Sequence, residues 1–336
     1  MILMKKYKFL ALTDHSGHSG ENSLYALLRT LSAHERTKSV SVATRADARN
    51  APFFRDMQTT EVVILPADEN FVFETAADRF HAATDRARLE DFDVVLMRLP
   101  RPVSDEFLDF LTDKGNKQTF INDPQGIRKT STKKFLLRFP EVCPDMRMVH
   151  NEEEVKAFAD RFPIVLKPLK EYGGKGVVKI QNGRVNHGDT DYSLAEYLAV
   201  IKIELERDGY LAMKFLKNVT QGDKRIIVVN GQILAASLRL PAADSWLCNV
   251  AQGGTSVPAE PDAEERKIIK KIVPVLKEEG ILIFGADTLT DDDGKRVLSE
   301  VNTLSIGGFP QAQEQTGRPV LRQAIDGIIE YADSMR

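Results

Sequence analysis

One stretch, residues 163–178, restricts the possible folds of this chain more than any other. Residues 163–168 are apolar except for Lys167, the following loop has glycine at three of four consecutive positions, and the last part is apolar again. This pattern predicts two short strands joined by a glycine-rich loop. A lysine at the end of a buried strand requires an anionic partner, and glycines allow backbone N–H groups to surround an anion. The stretch therefore fits a phosphate-binding loop, and equally a tight hairpin whose lysine extends into water.

Length and composition indicate a soluble protein of two or three lobes. The chain has 336 residues, of which 42% are hydrophobic and 28% charged, which is typical of globular proteins with a substantial core. A net charge of −3 gives no basic excess for nucleic-acid binding. The two cysteines, Cys143 and Cys248, lie far apart without metal-binding spacing, which favours a reducing compartment. No apolar run reaches membrane-spanning length and residues 1–10 do not form a signal peptide, so we expect a cytoplasmic location.

The first third of the chain alternates between strand-like and helical patterns. Strands are predicted at residues 7–13, 39–43, 62–65 and 93–97. A helix is predicted at residues 21–33, and Ser104 is expected to cap another. The alternation predicts an open, mostly parallel sheet covered by helices, whose ligands bind at the carboxyl ends of the strands.

Two features follow strands of this predicted sheet. The loop at residues 14–20 contains His15 and His18, but without a third ligand a polar substrate-binding or structural turn is favoured over a metal site. Arg98 follows the strand at residues 93–97. It could hold a carboxylate through paired hydrogen bonds or lie on the surface, and the sequence leaves both interpretations open.

The rest of the chain is expected to mix helices with strand pairs. Residues 122–126 form a cluster of turn residues and a candidate hinge, and Asn230-Gly231 predicts a hairpin turn. Helices are predicted at residues 128–139, 152–161 (capped by Asn151), 194–205 and 262–279, and strands at residues 211–216, 226–229, 232–239, 281–289 and 295–301.

Three oxygen-bearing side chains lie on the last two predicted strands. Asp287 lies within an apolar run, and Glu300 and Asn302 are two residues apart and therefore share a strand face. Oxygen ligands that meet across neighbouring strands match the needs of Mg²⁺ bound to nucleotide phosphates. The alternative is a buried polar cluster, which also requires partners.

Several short motifs follow one another in a fixed order: Asn122-Asp123-Pro124 with Lys133 downstream, residues 164–168 with Gly173-Gly174-Lys175-Gly176, Gly222-Asp223-Lys224-Arg225, Arg239, and Gly285-Ala286-Asp287 before Glu300-Val301-Asn302. In this order they resemble the ATP-grasp superfamily, and most closely the bacterial glutathione synthetases. The resemblance implies an α/β and α+β ATP-grasp fold. It implies an N-terminal parallel-sheet domain at residues 1–121, a small lid subdomain at 122–210 and a catalytic subdomain at 211–336.

The resemblance also implies roles for single residues. The residues that would bind ATP are Lys133, Lys167, Gly173, Gly174, Lys175, Gly176, Met213, Lys214, Phe215, Leu216, Asp223 and Arg225. Lys167, Arg225 and Arg239 would act in catalysis, and Asp287, Glu300 and Asn302 would bind Mg²⁺ or Mn²⁺. The implied reaction is ATP-dependent ligation of a carboxylate to an amine through an acyl phosphate. Small-molecule substrates, a homo-oligomer, and no nucleic-acid or membrane partner are expected.

The sequence departs from the family where the family holds its peptide substrates. Leu247-Cys248-Asn249 replaces an Arg-Gly-Asn element, residues 303–308 replace a Ser-Pro-Thr-Gly turn, and Met213 replaces a glutamine. The ATP and metal half of the site therefore looks intact, whereas the acceptor half is altered. Two other hypotheses stay open: a non-catalytic ATP-binding module and a tailoring enzyme that acts on a larger peptide.

Overall fold

Three β-sheets organise the chain in the computed structural model, which describes residues 5–171, 173–187, 190–242, 246–248 and 254–335. The first sheet has six strands: β1 (Tyr7–Thr13), β2 (Thr37–Thr44), β3 (Glu61–Pro66), β4 (Asp85–Arg88), β5 (Val94–Met97) and β6 (Thr119–Ile121). Its order is β4-β3-β2-β1-β5-β6. The pairs β1–β2, β1–β5 and β5–β6 are parallel, and β3 and β4 complete the sheet in antiparallel pairs. The predicted mostly parallel first sheet is confirmed.

Helices connect and cover this sheet: α1 (Ser23–Ser32), α2 (Ala51–Phe54), α3 (Asp78–Ala82) and α4 (Asp105–Lys114). Ser104 caps α4 as predicted, because its hydroxyl accepts a hydrogen bond of 3.1 Å from the Phe107 N–H group. The parallel strands β1, β5 and β6 end at one edge of the sheet, and this edge faces the rest of the molecule.

The connection to the second sheet differs from the prediction. A helix, α5 (Pro124–Thr130), begins within the predicted turn at residues 122–126, and a 3₁₀ helix, Lys133–Arg138, replaces the second half of the helix predicted at 128–139. The Asp123 carboxylate caps α5 and Pro124 fills its first position, which are both strong signals for a helix start. Thr132 caps the 3₁₀ helix and so separates the two.

The second sheet has six strands: β7 (Met146–Val149), β8 (Ile164–Pro168), β9 (Val178–Gln181), β10 (Arg184–His187), β11 (Thr190–Ser193) and β12 (Tyr210–Lys214). Two helices accompany it, α6 (Glu152–Ala159) and α7 (Leu194–Arg207). Asn151 caps α6 as predicted. Strands β8 and β9 form the antiparallel pair expected from the opening stretch.

The second sheet extends past the subdomain boundary expected at residue 210. Strand β12 pairs with β8 on one side and with β7 on the other, and both pairs are antiparallel. Its hydrogen bonds therefore place residues 211–214 with the second sheet. The division into three domains otherwise stays a prediction.

The third sheet is antiparallel and contains β13 (Asp223–Val229), β14 (Gln232–Leu240), β15 (Thr255–Ala259), β16 (Ile283–Thr290) and β17 (Arg296–Asn302), in the order β15-β14-β13-β16-β17. Helices α8 (Ala263–Glu278), α9 (Phe309–Thr316) and α10 (Val320–Ser334) complete the fold. Asn230 and Gly231 adopt φ values of 49° and 79°, so the predicted hairpin turn between β13 and β14 is confirmed.

The C-terminal helices join the third sheet to the first. Leu24 and Leu28 of α1 share a buried cluster with Phe309 of α9 and with Ile325 and Ile328 of α10. Each such side chain contributes about 1.5–3 kcal/mol when fully buried. This shared core holds the carboxyl edge of the first sheet beside β16 and β17.

Asn122 makes a second link between the first and third sheets. Its Nδ2 donates to the carbonyl groups of Ile283 (2.6 Å) and Thr303 (2.7 Å), and its Oδ1 accepts from the N–H groups of Leu282 and Ile283.

In the part of the chain that the structure describes, no helix is long and apolar enough to cross a membrane.

Candidate active site

Two adjoining cavities lie where the three sheets meet. The large cavity, about 380 Å³, lies between the carboxyl edge of the first sheet and β17. The small cavity, about 90 Å³, lies between the second and third sheets. Lys133 and Glu300 line both cavities, so the two spaces meet at this ion pair. Two ligands, one bound in each cavity, would therefore approach each other at this ion pair.

The small cavity contains most of the residues predicted to bind ATP. Its lining includes Lys167, Gly174, Met213, Lys214, Phe215, Leu216 and Asp223. Its other walls are largely apolar, with Val165, Val177 and Leu289. Apolar walls with a few polar groups are typical of ligand sites, whereas the volume of about 90 Å³ is below their usual range of roughly 300–1,000 Å³.

The segment after β12 differs in detail from the prediction. The strand ends at Lys214 rather than Leu216. The N–H groups of Lys214 and Phe215 donate to the carbonyl groups of Asp145 and Pro163, at 2.8 Å each. These two N–H groups are therefore used within the protein, and only other backbone groups of this segment can bind a base.

Lys167 lies at the polar end of the small cavity. Its Nζ donates to the Ser299 carbonyl group at 3.3 Å, and within the described residues no carboxylate lies within 4 Å of it. Burial is the main reason that the pKa of Lys167 lies below its usual value, although Glu300 opposes this effect. The expected anionic partner of Lys167 is therefore absent from the described part of the protein, and a bound anion would provide it.

Lys133 is held more firmly than Lys167. Its Nζ donates to the Glu171 carbonyl group and lies 3.4 Å from Oε1 of Glu300. Its own N–H group donates to the Leu169 carbonyl group at 3.1 Å. The lysine thus joins the glycine-rich loop to β17.

Only two of the four residues of the Gly173–Gly176 loop line the cavities. Gly173, Gly174 and Gly176 have φ values of 64°, 80° and 68°, which side chains disfavour, so glycine is required here. Gly173 lines the large cavity and Gly174 lines the small one. Lys175 and Gly176 line neither cavity. The Lys175 side chain is 78% exposed and lies 3.7 Å from Glu171, and Gly176 approaches Pro168.

Asp287 lies at the centre of an ion-pair network on the third sheet. Cross-strand pairing places it opposite Arg225 on β13 and Glu300 on β17. Arg225 binds both of its carboxylate oxygens, through Nε to Oδ1 and through Nη2 to Oδ2 at 2.7 Å. Arg239 lies 2.9 Å from Oδ2. Burial alone would raise the pKa of Asp287, but Arg225 and Arg239 outweigh burial and hold it at about 2.

Arg239 and Asp223 extend this network. The guanidinium group of Arg239 binds the Asp223 carboxylate through two hydrogen bonds of 2.6 Å. Burial is the main reason that the pKa of Asp223 lies above its usual value, and the nearby charge of Asp287 adds to it. Arg225 and Arg239 both line the large cavity, whereas Asp223 lines the small one.

The predicted metal ligands fit Mg²⁺ by their chemistry. Nδ2 of Asn302 lies 3.2 Å from Oδ2 of Asp287, and Glu300 is the cross-strand neighbour of Asp287. All three residues offer hard oxygen donors. No group of three or more His, Cys, Asp or Glu side chains suited to a metal ion occurs in the described residues. A metal ion held by these three residues would therefore use the amide oxygen of Asn302 as its third donor.

Arg98 is buried, so its interpretation as a surface residue is wrong. Its Nη2 donates to the Ile306 carbonyl group at 2.7 Å, and its Nε has no hydrogen-bond partner among the residues that the structure describes. Burial lowers its pKa to about 10. Arg98 does not line the large cavity, whereas Leu99, Pro100 and Arg101 do.

The two histidines of the predicted loop bind different groups. Nδ1 of His15 lies 2.9 Å from the Thr44 hydroxyl, and the His15 ring stacks on Phe80. The His18 ring lies between the hydroxyl groups of Thr13 (3.2 Å) and Tyr25 (2.9 Å). Both rings are therefore held by protein groups, as in a structural turn.

Sequence reasoning missed two residues of the site. Arg101 lines the large cavity, and the same rule that singled out Arg98, its position after β5, could have found it. Trp246 lines the small cavity with its ring edge-on to Phe215 at 5.7 Å. Leu247 and Cys248 of the altered element Leu247-Cys248-Asn249 line the small cavity rather than the large one, and Asn249 lies outside the described residues.

Several solved structures superpose on this chain over almost its whole length. D-cycloserine synthetase DcsG superposes with a TM-score of 0.66 at 13% identity, covering 97% of this chain and 99% of that chain. D-alanine–D-alanine ligase from Bacillus anthracis, complexed with ATP, gives a TM-score of 0.58 at 15% identity, with 98% of each chain covered. ATP-grasp ligase PsnB, complexed with minimal precursor, Mg and ADP, gives 0.53 at 14% identity, covering 96% and 98%. These similarities show the fold class.

Sequence comparison identifies the family within this class. Residues 132–317 match the prokaryotic glutathione synthetase ATP-grasp domain. The chain is 30% identical over 273 residues to glutathione synthetase from Bradyrhizobium diazoefficiens, covering 80% of this chain and 83% of the relative. It is 31% identical over 249 residues to glutathione synthetase from Rhodopseudomonas palustris, covering 73% and 75%. The chain belongs to the prokaryotic glutathione synthetase family of ATP-grasp proteins, as its motifs predicted.

Proposed function

We propose that this protein is an ATP-dependent ligase that joins a small carboxylic acid to an amine through an acyl phosphate. The observation that carries the proposal is the meeting of the two cavities at Lys133 and Glu300. A nucleotide that binds in the small cavity with its phosphates toward Lys133 would present its terminal phosphate at this opening. An acid bound in the large cavity would then present its carboxylate from the other side.

The residues around the opening suit phosphoryl transfer. Lys133, Lys167, Arg225 and Arg239 would bind the phosphates and the charge that develops on the transferred group. Asp287, Glu300 and Asn302 would hold Mg²⁺ or Mn²⁺, which supplies charge neutralisation when bound. A carboxylate oxygen attacks the γ-phosphorus and ADP leaves. The amine then attacks the acyl carbon, and phosphate leaves with the former carboxylate oxygen.

The two cysteines do not provide an alternative nucleophile. Burial raises the pKa of Cys143 to about 12 and that of Cys248 to about 11. Both thiols are therefore protonated at neutral pH and poorly nucleophilic. This supports a reaction that proceeds through an acyl phosphate without a thioester.

The large cavity has room for a small acid. A volume of about 380 Å³ falls within the range of small-molecule sites, roughly 300–1,000 Å³. We retain a cytoplasmic location and a homo-oligomer as predictions from the sequence.

Trp246 allows nucleotide binding to be measured separately from turnover. It is the single tryptophan of the chain and lines the small cavity, so its fluorescence should change on ADP binding. Phosphate release should require both an acid and an amine from a panel of γ-glutamyl dipeptides, other dipeptides and amino acids. Fluorescence titration without phosphate release for any pair would instead support a non-catalytic module, especially if nucleotide still bound after combined Asp287→Asn and Glu300→Gln substitution.

A further inference from the structure

We propose that Glu171 binds the ammonium group of the amine substrate and accepts its proton, so that the amine can attack the acyl phosphate. The inference rests on the proposed function, because that function places the acyl phosphate at the opening beside Lys133 and Glu300. It defines the second substrate as an amine that enters the large cavity in its charged form.

Glu171 lies at the opening between the two cavities. Nζ of Lys133 donates a hydrogen bond to the Glu171 carbonyl group and forms the ion pair with Glu300 at which the cavities meet. Glu171 itself lines the large cavity. Its carboxylate therefore lies within one side-chain length of the lysine that the acyl phosphate would contact.

The Glu171 carboxylate is only weakly engaged by the protein. Its side chain is 42% exposed, and its ion-pair partner among the described residues is Lys175, whose Nζ lies 3.7 Å from Oε2. This distance is too long for a hydrogen bond, and exposed ion pairs of this kind contribute little to stability. The carboxylate can thus exchange Lys175 for an ammonium group, and its exposure allows it to return a proton to water.

The charges of the large cavity favour such a role for Glu171. Four of the described lining residues are cationic and two are acidic: Arg101, Lys133, Arg225 and Arg239, and Glu171 and Glu300. The cationic residues repel an ammonium group, so an amine needs a carboxylate to bind among them. Glu300 pairs with Lys133 and would hold the metal ion, which leaves Glu171 for the amine.

The protons of the reaction require an acceptor at this place. An ammonium nitrogen has no lone pair, so it must lose one proton before it can attack the acyl carbon. The Glu171 carboxylate takes this proton. The C–N bond then forms, and the bond between the acyl carbon and the phosphate oxygen breaks. The departing phosphate takes the second nitrogen proton, and Glu171 releases its own proton to water.

The test compares two nucleophiles in the same variant. Phosphate release is measured with an acid of the panel and either its amine or hydroxylamine, which is mostly uncharged at neutral pH and attacks acyl phosphates without prior loss of a proton. Glu171→Gln should lower kcat/KM for the amine about 10²–10⁴-fold. With hydroxylamine the same variant should change by less than about threefold, because formation of the acyl phosphate does not use Glu171.

A pH series and two further variants separate this role from a structural one. The defect of Glu171→Gln should shrink as pH rises, because the fraction of uncharged amine grows. Glu171→Asp keeps the carboxylate at a shorter reach and should give an intermediate rate with the amine. Glu152→Gln, which removes an exposed ion pair of 2.5 Å with Lys156 on α6, is the matched control and should leave all rates unchanged.

The outcomes distinguish this inference from the proposed function. An equal loss with the amine and with hydroxylamine, or unchanged turnover with the amine, would overturn the inference and leave the ligase function intact. Loss of ADP binding in Glu171→Gln, seen by Trp246 fluorescence, would also overturn it. No phosphate release by the wild type with any acid and amine would overturn the ligase function and this inference with it.

Discussion

At the residue scale, two lysines of one site have opposite electrostatic environments. Lys133 has a carboxylate partner in Glu300, whereas Lys167 has a carbonyl partner only, among the described residues. Removing one member of an ion pair leaves its partner uncompensated, but removing a half-buried cation that has no carboxylate within 4 Å among the described residues relieves an unfavourable charge. The free protein therefore keeps Lys167 at a cost to stability that ligand binding offsets.

Lys167→Met and Lys133→Met should affect stability in opposite directions. Lys167→Met should leave the free energy of unfolding unchanged or raise it by about 1 kcal/mol, whereas Lys133→Met should lower it by roughly 1–3 kcal/mol. Both variants should bind ADP at least about 10-fold more weakly. Urea unfolding and titration of Trp246 fluorescence measure the two effects. Equal destabilisation by both substitutions would contradict this account.

The lowered pKa of Lys167 predicts a pH dependence of nucleotide binding. Lys167 loses its proton in the folded protein at a pH below its usual value of 10.5, and phosphate binding requires the charged form. ADP affinity should therefore fall as pH rises through the lowered pKa, by up to about 10-fold. In the same window the unfolded chain binds more protons, so stability should rise with pH. In Lys167→Arg the affinity should not change across this window, and an equal loss in both proteins would exclude Lys167 as the titrating group.

The sequence predicts the identities of these residues better than their partners. Strand periodicity places Glu300 and Asn302 on one strand face, and in the structure Nδ2 of Asn302 lies 3.2 Å from Oδ2 of Asp287 on the neighbouring strand. The pairing of Asp287 with Arg225 and Arg239 depends on the register of strands distant in the chain, which no local pattern contains.

At the element scale, the glycine-rich loop between β8 and β9 depends on backbone conformation. Gly173 has a φ value of 64°, and a Cβ atom added there would meet no atom of the described residues within 4 Å. Any effect of a side chain at this position is therefore conformational rather than steric. Gly183, in the turn between β9 and β10, has a φ value of 71° and equally open surroundings. The chain thus offers a matched control.

Gly173→Ala and Gly183→Ala should destabilise the protein similarly, by about 1–2 kcal/mol, because both place a side chain in the left-handed region. Only Gly173→Ala should lower kcat/KM for ATP, by at least about 10-fold, because it changes the conformation of the loop that places Gly174 in the wall of the small cavity. Thermal unfolding and phosphate release provide the two measurements. Equal turnover in the two variants would show that the loop conformation does not matter for the reaction.

The sequence predicted helices and strands with strong local periodicity well, but it predicted poorly where such a helix is interrupted. Strand β1 has the predicted bounds, and α4 begins after the predicted cap. The helix predicted at residues 128–139 was wrong because its apolar periodicity continues through Thr132, whose side chain caps a new 3₁₀ helix. A cap can compete with periodicity, and the outcome depends on packing.

At the scale of the whole molecule, the site is assembled from all three sheets. The first sheet provides Arg101, the second Lys167 and the third Asp287. The packing of α9 and α10 on α1 fixes the first sheet against the third, and this contact joins segments almost 300 residues apart. The amphipathic patterns of α9 and α10 predict that one face of each helix is buried, but they do not specify which element covers that face.

Metal binding should depend on nucleotide because Arg225 and Arg239 both form ion pairs with the Asp287 carboxylate in the free protein. Mn²⁺ should bind the free protein at least about 10-fold more weakly than the protein with ADP, and by linkage Mn²⁺ should strengthen ADP binding by the same factor. Electron paramagnetic resonance of Mn²⁺ and Trp246 fluorescence measure the two directions, and Asp287→Asn should remove the linkage. Tight Mn²⁺ binding without nucleotide would contradict this arrangement.

The fate of one oxygen atom tests the proposed reaction most directly. An acid with ¹⁸O in its reacting carboxylate is turned over with ATP and an amine, and the released phosphate is analysed by mass spectrometry. An acyl phosphate requires one ¹⁸O atom in each phosphate formed together with the amide product. Phosphate without ¹⁸O would mean that the carboxylate never attacked the γ-phosphorus, and it would contradict the mechanism proposed for this site.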